Sequence, residues 1–493
     1  MNGFPVLSTL LLLPAVGALL LWLLPARRLS LIRWGAILIA LLTLTLAWGL
    51  IGWFDTQSGG LQWYERYVWN PRLGTAIALG LDGFSLPLVL LATLLCLVAL
   101  LASGGIRERA KGYYALMLIL EAAMLGVFMA QDWSIFYVFW ELVLIPLFFL
   151  IDRWGGRNRS GAALNFVLYT MGGSVFLLIA LLVAFDAVGA HSFAMPDLAA
   201  GGRHLGRDTQ ILIFLGLLIG FGVKMPIFPL HGWLPLAHVE APSPVSILLS
   251  GILLKMGSYG LIRAAQMLPQ AVLALQSLLL VLAMISLLYG GLLAWRQTDL
   301  KAMIAYSSVS HMGVVLLGIA ALNVAGVTGA LVQMIAHGLV AGALFLLVGL
   351  LYERTHTREI GHYSSLVRVM PRFAFFTVLA FVAAVGLPGT AGFIAELHAL
   401  VGGFQVWGGW VAILSLGVMV GAAYAIRTVG RLCTGPLRPE MAGVPDLAPT
   451  ELVAAGVLSL SFLVLGLFPA GLLQLLRASL DRFGQLLATA SGS

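Results

Sequence analysis

The chain has 493 residues, of which 61% are hydrophobic and only 10% are charged, with a formal net charge of +7. Soluble domains are about 25% charged, so this composition excludes a soluble globular protein and indicates a polytopic membrane protein. The positive charge comes mostly from arginines in predicted loops, so we predict no nucleic-acid partner. Two cysteines are too few for a disulfide framework, or for a cluster or zinc site that needs three or four thiolates.

Apolar runs of about 20 residues predict an all-α membrane protein with fourteen spanning helices. The predicted spans are residues 5–24, 34–53, 83–103, 113–130, 134–151, 161–185, 210–230, 243–265, 272–293, 302–322, 327–351, 373–400, 408–428 and 451–474. The first span contains no basic residue and leads directly into further spans. We therefore interpret it as a retained helix and not as a cleaved signal.

Lysine and arginine are distributed unevenly between the two sets of predicted loops. With the N-terminus outside, 18 of the 27 basic residues fall in or beside the inner loops and 7 in or beside the outer loops, while Lys224 and Lys255 lie inside spans. Basic residues accumulate on the cytoplasmic side of membrane proteins. We therefore predict a multi-pass protein of a bacterial inner membrane with both termini on the periplasmic side.

Two spans contain helix-breaking segments five spans apart. The seventh is interrupted at Lys224-Met-Pro-Ile-Phe-Pro and the twelfth at Gly386-Leu-Pro-Gly-Thr. Because five is odd, a tandem five-helix unit must be inverted, and inverted repeats with broken helices are typical of transporters. The predicted units are helices 1–3 at residues 1–112, a first repeat at 113–265, a second repeat at 266–430, and the last helix with its tail at 431–493. The alternative is that these prolines only kink helices for packing.

Five ionisable residues lie at membrane depth: Glu121, Glu141, Lys224, Lys255 and Glu396. A buried lysine costs roughly 2.5 kcal/mol or more, so such residues predict movement of charge through the protein. Glu121 is either auxiliary to this movement or a protonated, hydrogen-bonded packing group.

Glu141 and Lys224 form the first candidate pair. At about 4 Å and an effective dielectric near 20, the pair would gain about 4 kcal/mol. Burial opposes the charged form of the lysine. We therefore expect Lys224 to hold its proton while Glu141 is near and to release it when the two separate. The alternative is a static ion pair that fixes helix packing and adds little net stability.

Lys255 has no acidic neighbour in its own helix, and Ser258 and Tyr259, at i+3 and i+4, are predicted to solvate it. An unpaired buried lysine gives up its proton readily, which suits a proton acceptor in a relay. The alternative, an ammonium group that extends to the membrane surface, fits poorly with a position about twelve residues into the span.

Histidines and hydroxyl groups extend this path. Lys301, Ser308 and His311 share one face of the tenth span, and Gln333 and His337 lie one turn apart in the eleventh. His231 and His238 follow the first break and are predicted near the inner surface. Histidine suits proton transfer near neutrality, although packing is the alternative for each ring. We predict a relay that runs through Glu141, Lys224, Lys255, His337 and Glu396, with no bound metal.

Several segments together resemble one family over nearly the whole chain. They are Leu81-Asp-Gly-Phe-Ser-Leu-Pro, Trp140-Glu141, Lys224-Met-Pro, His238-Val-Glu-Ala-Pro-Ser-Pro, and Ala305-Tyr-Ser-Ser-Val-Ser-His311. This combination is similar to the antiporter-like subunits of respiratory complex I and of Mrp cation/proton antiporters. Within that family it most resembles the M-type branch, because the chain stops after fourteen spans and carries Glu396 where other branches usually carry lysine.

The resemblance implies a function and a set of partners. It implies that Glu141, Lys224, Lys255, His337 and Glu396 carry protons. We predict auxiliary roles for Glu121, Lys301, His311 and His231. The resemblance also implies that quinone reduction in other subunits drives the movement, that FMN, iron–sulfur clusters and quinone are held by those subunits, and that this chain holds no cofactor. Neighbouring antiporter-like subunits and lipid would be its partners. The alternatives are a Mrp-type Na⁺/H⁺ antiporter subunit, a membrane-bound hydrogenase subunit, or a structural spacer.

Overall fold

The computed structural model describes residues 5–491, so the predicted unit limits at residues 1 and 493 lie outside the described part. Within it the predicted all-α membrane fold is confirmed. The helices are α1 (Val6–Leu23), α2 (Leu29–Gly49), α3 (Ser85–Ala102), α4 (Ala110–Met129), α5 (Trp133–Leu142), α6 (Leu144–Trp154), α7 (Arg159–Val188), α8 (Met195–Gly202), α9 (Arg207–Lys224), α10 (Trp233–Glu240), α11 (Ser243–Leu248), α12 (Leu254–Met267), α13 (Pro269–Ala274), α14 (Gln276–Arg296), α15 (Leu300–Ala320), α16 (Val324–Thr355), α17 (Leu366–Val369), α18 (Pro371–Ala384), α19 (Ala391–Trp407), α20 (Ser415–Cys433), α21 (Pro449–Leu467) and α22 (Ala470–Ser491).

Twelve helical segments within residues 5–491 are long and apolar enough to cross a membrane. α9 is not among them, and α19 and α20 count as one segment, Ala391–Cys433. Adding α9 and separating α19 from α20 at the 3₁₀ turn Gly408–Leu414 accounts for the fourteen predicted spans. The last predicted span is too long. Proline cannot continue a helix, so α21 ends at Leu467, just before Pro469, and the separate helix α22 follows.

Side-chain caps fix where the helices that carry the central residues begin. The side chain of Asp299 accepts a hydrogen bond from the Ala302 amide at 3.0 Å at the start of α15. The side chain of Asn323 accepts one from the Gly326 amide at 2.8 Å at the start of α16. Each cap satisfies a backbone donor that has no partner inside the helix, which typically contributes about 1 kcal/mol.

One element was not predicted, an antiparallel hairpin of β1 (Gln62–Asn70) and β2 (Thr75–Leu81) between α2 and α3. β1 is rich in aromatic residues, which favour strands, but its segment is too short and polar to be found by a search for spans. The Glu65 carboxylate accepts hydrogen bonds from the Leu7 and Ser8 amides at 2.8 and 3.0 Å. The hairpin is thereby attached to the first turn of α1.

The connections form layers on two opposite faces of the bundle. The hairpin, α8 and α22 share one face, which we call the hairpin face. Isolated backbone bridges join Leu79 to Ala130 and Asp132 to Ala194 on this face, whereas Asp299 is bridged to Glu359 on the other. Connections that alternate between the two faces are what fourteen successive membrane spans produce.

Both predicted helix breaks are present. α9 ends at Lys224 and the chain becomes helical again at Trp233, while α18 ends at Ala384 and α19 begins at Ala391. The inverted relation of the two five-helix units stays a prediction. Residues 326–351 of α16 and residues 244–265, which include most of α11 and α12, are all buried in the bundle. These helices form the centre in which the ionisable side chains lie.

Candidate functional site

Lys255 and His337 make direct contact at the centre of the bundle. The Lys255 ammonium group donates to the Ser250 carbonyl oxygen at 2.6 Å and lies 2.7 Å from Nδ1 of His337. Both side chains are buried, with exposed fractions of 0% and 5%. A π-helical turn, Leu249–Leu253, connects α11 to α12 just before Lys255, and such turns occur frequently at functional sites. A proton can therefore pass between the lysine nitrogen and the imidazole without an intermediate group.

His311 continues the contact from His337. The centroids of the two imidazole rings are 5.3 Å apart, and Nδ1 of His311 lies 3.2 Å from the Gln333 side-chain amide nitrogen. Among residues 5–491, Nε2 of His337 has no hydrogen-bond partner although it is buried. This nitrogen is thus available to donate or accept a proton.

Glu396 ends the series. Its Oε1 lies 3.9 Å from Nδ1 of His311. A small cavity of about 10 Å³ is lined by His311, Gln333, His337 and Glu396, which is room for about one water molecule. Lys255, His337, His311 and Glu396 therefore form one contiguous set, which we call the central chain. Sequence reasoning treated His311 as auxiliary, whereas the structure places it between His337 and Glu396.

The predicted solvation of Lys255 by Ser258 and Tyr259 is wrong. Ser258 lies 3.5 Å from the Leu254 carbonyl oxygen, and the Tyr259 hydroxyl donates to the Phe128 carbonyl oxygen at 3.2 Å. Helical side chains lean toward the N-terminus of their helix, so the lysine extends back over the preceding turn toward Ser250. Residues at i+3 and i+4 lie behind its ammonium group.

The predicted contact between Glu141 and Lys224 is also absent. The Lys224 ammonium group donates to the Trp140 carbonyl oxygen at 2.9 Å and lies 3.7 Å from the centroid of the indole ring. Within residues 5–491, neither Lys224 nor Glu141 takes part in an ion pair. Glu141 is nevertheless near enough for its charge to act on the Lys224 ammonium group, so the two residues are neighbours without direct contact.

Glu141 instead lines a groove of about 630 Å³ with Tyr137, Phe148 and Met171, on the side of the bundle formed by α5–α7. Its Oε1 is buried without a hydrogen-bond partner among the described residues. Within residues 5–491, Lys224 bonds to Trp140, whereas Lys255 bonds to Ser250 and His337, so the two lysines are not in direct contact. α9 and α12 are in backbone contact between them, since a Cβ atom on Gly257 would lie 2.5 Å from the Phe221 carbonyl oxygen. The chain of direct contacts thus stops on the Lys224 side of Lys255.

His238 packs inside the bundle and not on its surface. Its side chain is fully buried and stacks on Phe345 with ring centroids 4.4 Å apart, while the next residue, Val239, accepts a hydrogen bond from Arg358 in a connection of the face opposite the hairpin. Among the described residues, neither ring nitrogen has a partner, and the ring is near enough to Lys301 and Lys255 for both charges to act on it. Lys301 itself donates to the Ala241 carbonyl oxygen at 2.7 Å.

The remaining predicted residues lie away from the central chain. The His231 ring packs against Phe228 and Tyr289, with centroids 5.9 and 5.8 Å apart. Glu121 is fully buried beside the Cys96 thiol. The structure therefore does not bring Glu121 or His231 into the contiguous set.

Comparison with known proteins identifies the relatives of this chain. Residues 130–421 match the family described as NADH:quinone oxidoreductase/Mrp antiporter, transmembrane. Curated relatives include NAD(P)H-quinone oxidoreductase chain 4 proteins of Thermosynechococcus vestitus and Synechococcus elongatus. Each is 41% identical, and each alignment covers 94% of this chain and 89% of the relative.

Solved structures agree with this result. A chain of respiratory complex I from Thermus thermophilus superposes with a TM-score of 0.89 at 35% identity, covering 98% of this chain and 99% of that one. A chain of an archaeal membrane-bound sulfane sulfur reductase gives 0.82 at 25% identity, with 94% and 76% coverage. A chain of the Mrp complex from Dietzia gives 0.82 at 23% identity, with 98% and 55% coverage, which shows a shared fold.

Proposed function

Since the chain belongs to the NADH:quinone oxidoreductase/Mrp antiporter family, we propose that it is a proton-translocating, antiporter-like subunit of an NADH:quinone oxidoreductase complex. The observation that carries this proposal is the central chain of Lys255, His337, His311 and Glu396. The Mrp-type and hydrogenase alternatives are less favoured, because the curated quinone oxidoreductase relatives are 41% identical and the Mrp structure is 23% identical.

The central chain supports a stepwise proton transfer. The Lys255 ammonium group passes a proton across 2.7 Å to Nδ1 of His337, and a proton leaves the same ring from Nε2. The proton then moves through His311 to the Glu396 carboxylate, across a gap with room for about one water molecule. Each step exchanges one proton between a nitrogen or oxygen donor and an acceptor, and no electron moves through these side chains.

Lys224 is proposed to control the supply of protons to this chain. It is held at Trp140 by a hydrogen bond and by a cation–π contact, which is worth about 2 kcal/mol when desolvated. A charged Glu141 attracts the Lys224 ammonium group and so competes with its contacts to Trp140. Lys224 would then release its proton toward the centre when Glu141 is neutralised, and hold it when Glu141 is charged.

The proposal includes the setting of the chain. The protein would lie in a bacterial inner membrane, with both termini and the hairpin face on the periplasmic side. Glu141 would face a neighbouring antiporter-like subunit across its groove. Quinone reduction in other subunits, which would hold FMN, iron–sulfur clusters and quinone, would drive the cycle, and no redox centre would be held by this chain. The central chain would then connect the predicted unit 113–265, which contains Lys255, to the unit 266–430.

The test is a Glu141→Gln variant of the assembled complex, with Glu440→Gln on an exposed loop as the matched control. The complex is purified, its assembly is checked by size-exclusion chromatography, and it is reconstituted into vesicles. NADH:quinone turnover and proton uptake are measured together. Loss of both in the assembled Glu141→Gln complex, but not in the control, is the expected result. Full retention of both would show that Glu141 is a packing residue and that the proton path lies elsewhere.

A further inference from the structure

Three arginines line one cavity on the hairpin face. The cavity has a volume of about 290 Å³ and lies where the loop before the hairpin, α8 and α22 meet the ends of α5 and α12. We call it the arginine pocket and define it by Arg203, Arg263, Arg482, Trp133 and Ser479. Its walls also include apolar side chains, among them Leu61, Met195 and Leu486.

The pocket carries more positive charge than its own residues neutralise. Asp82 is the carboxylate that lines it, and its Oδ2 is paired with Arg263 at 2.7 Å. Its Oδ1 accepts from the amides of Phe84 and Ser85 at the start of α3. Asp82 therefore has little remaining capacity for a second guanidinium group.

Arg203 and Arg482 remain without acidic partners. Within residues 5–491 neither forms an ion pair, and the hydrogen bond of Arg482 is a long one, 3.3 Å to the Gly59 carbonyl oxygen. Partial burial and the charge of Arg482 lower the pKa of Arg203, which lies in the loop after α8. Two guanidinium groups close enough to repel each other would be stabilised by an anion between them.

Two side chains of the pocket, Trp133 and Arg263, each carry a buried donor nitrogen. Nε1 of Trp133 and Nε of Arg263 have no hydrogen-bond partner among the described residues, although these side chains are only 1% and 8% exposed. Both groups can only donate, so a ligand that satisfies them must bring acceptor oxygens. Leaving such donors unsatisfied is costly, so an acceptor group that reaches them would be stabilised.

We infer that the arginine pocket binds a phosphate-bearing anion, either the head group of an anionic phospholipid or free phosphate. Arginine forks match the geometry of phosphate oxygens. Trp133 begins a membrane span and Arg263 lies in the last turns of another, so the pocket is at the depth of lipid head groups. The apolar wall around Leu486 favours the phospholipid, because free phosphate would leave it uncovered.

The test measures anion binding to the purified, delipidated complex. Two probes are titrated separately, a short-chain phosphatidylglycerol and potassium phosphate. The variants are Arg203→Gln with Arg482→Gln together, Arg203→Gln alone and Arg203→Lys. The matched control is Arg477→Gln, an exposed arginine of the same helix α22 that lines a different cavity. Size-exclusion chromatography checks assembly, and the single Arg203→Gln variant keeps the test valid if the double variant does not assemble.

We expect binding to weaken about tenfold for each arginine replaced by glutamine, and less for lysine, which keeps the charge but loses the fork. The control should bind like wild type. Binding of phosphatidylglycerol alone assigns the site to a lipid head group. Equal binding of potassium phosphate, with the same dependence on the arginines, assigns it to free phosphate. Unchanged affinity of the double or single variant for both probes, or an equal loss in Arg477→Gln, overturns the inference.

Discussion

The two broken helices hold their ionisable side chains, Lys224 and Glu396, in different ways. At the first break, Lys224 is the last residue of α9, where free carbonyl groups and the helix dipole favour a cation. Its other contact, Trp140, comes from a single neighbouring helix. At the second break, Glu396 lies beyond the first turn of α19, where the dipole has little effect. Its carboxylate lies beside His311 and against the backbone of Gly386.

From this difference we expect side-chain movement at the first break and proton conduction at the second. Lys224 can change partners by a rotation of its own flexible side chain, so the first break suits a gate. Glu396 is held among groups from α15 and from the break itself, and it belongs to a contiguous chain of proton-carrying side chains. The second break therefore suits a fixed terminus of the path, and the two breaks need not move together.

Removing the lysine of the first break should have the largest effect. In an assembled Lys224→Ala complex, we expect coupled proton uptake to fall roughly 100-fold, because a proton donor that no neighbour replaces is lost. Uptake is measured in vesicles with NADH and quinone present. The control is Lys111→Ala, which removes another lysine placed over an indole ring, that of Trp22 at 5.3 Å, at the start of α4. Normal pumping by assembled Lys224→Ala would refute the gate.

The spans and both helix breaks could be predicted from the sequence. Apolar run length located the spans, and proline and glycine located both breaks, because these residues act through local backbone chemistry. The hairpin could not be predicted from apolar run length, because its two strands are much shorter than a membrane span. The strands also pair with each other and not with a spanning helix. The place of His311 could not be predicted either. Helical periodicity sets which face a residue occupies, but the distances to His337 and Glu396 depend on how α15, α16 and α19 pack.

Interrupting the path beside the second break should have the next largest effect. His311→Gln keeps a polar side chain next to Gln333 but removes the titratable ring between His337 and Glu396. We expect proton uptake to fall roughly tenfold, since the remaining gap must be bridged by water. The matched control is His398→Gln in α19, whose ring bonds to the Ile394 carbonyl oxygen at 2.7 Å outside the central chain. Equal uptake by the two variants would place His311 outside the path.

Reversing the charge of the second break should have a smaller effect. Glu396→Lys puts an ammonium group beside His311, so we expect proton uptake to fall severalfold while the complex still assembles. Stability should also fall, because the ammonium group is buried without an acidic partner and repels His311 whenever that ring is protonated. Glu396→Gln, which removes the charge without reversing it, separates the two causes. Wild-type proton uptake by Glu396→Lys would count against a terminal role for Glu396.

The smallest expected effect tests whether the backbone of the second break makes room for the carboxylate. Gly386 has φ +71°, and a Cβ atom there would lie 2.6 Å from Oε2 of Glu396. Gly386→Ala should therefore cost about 1–3 kcal/mol through backbone strain and should also displace the carboxylate. Melting temperature and proton uptake are measured together.

The matched control is Gly389→Ala, three residues later in the same break. Gly389 has φ +94°, so alanine is strained there too, but its added Cβ would have the side chain of Leu467 as its nearest neighbour, at 3.7 Å. Both variants should melt at lower temperature, because both force alanine into a left-handed conformation. Only Gly386→Ala should also slow proton uptake, since only its methyl group meets the carboxylate. Equal uptake by both would mean that the second break positions Glu396 through its packing partners in α15 and not through the glycine.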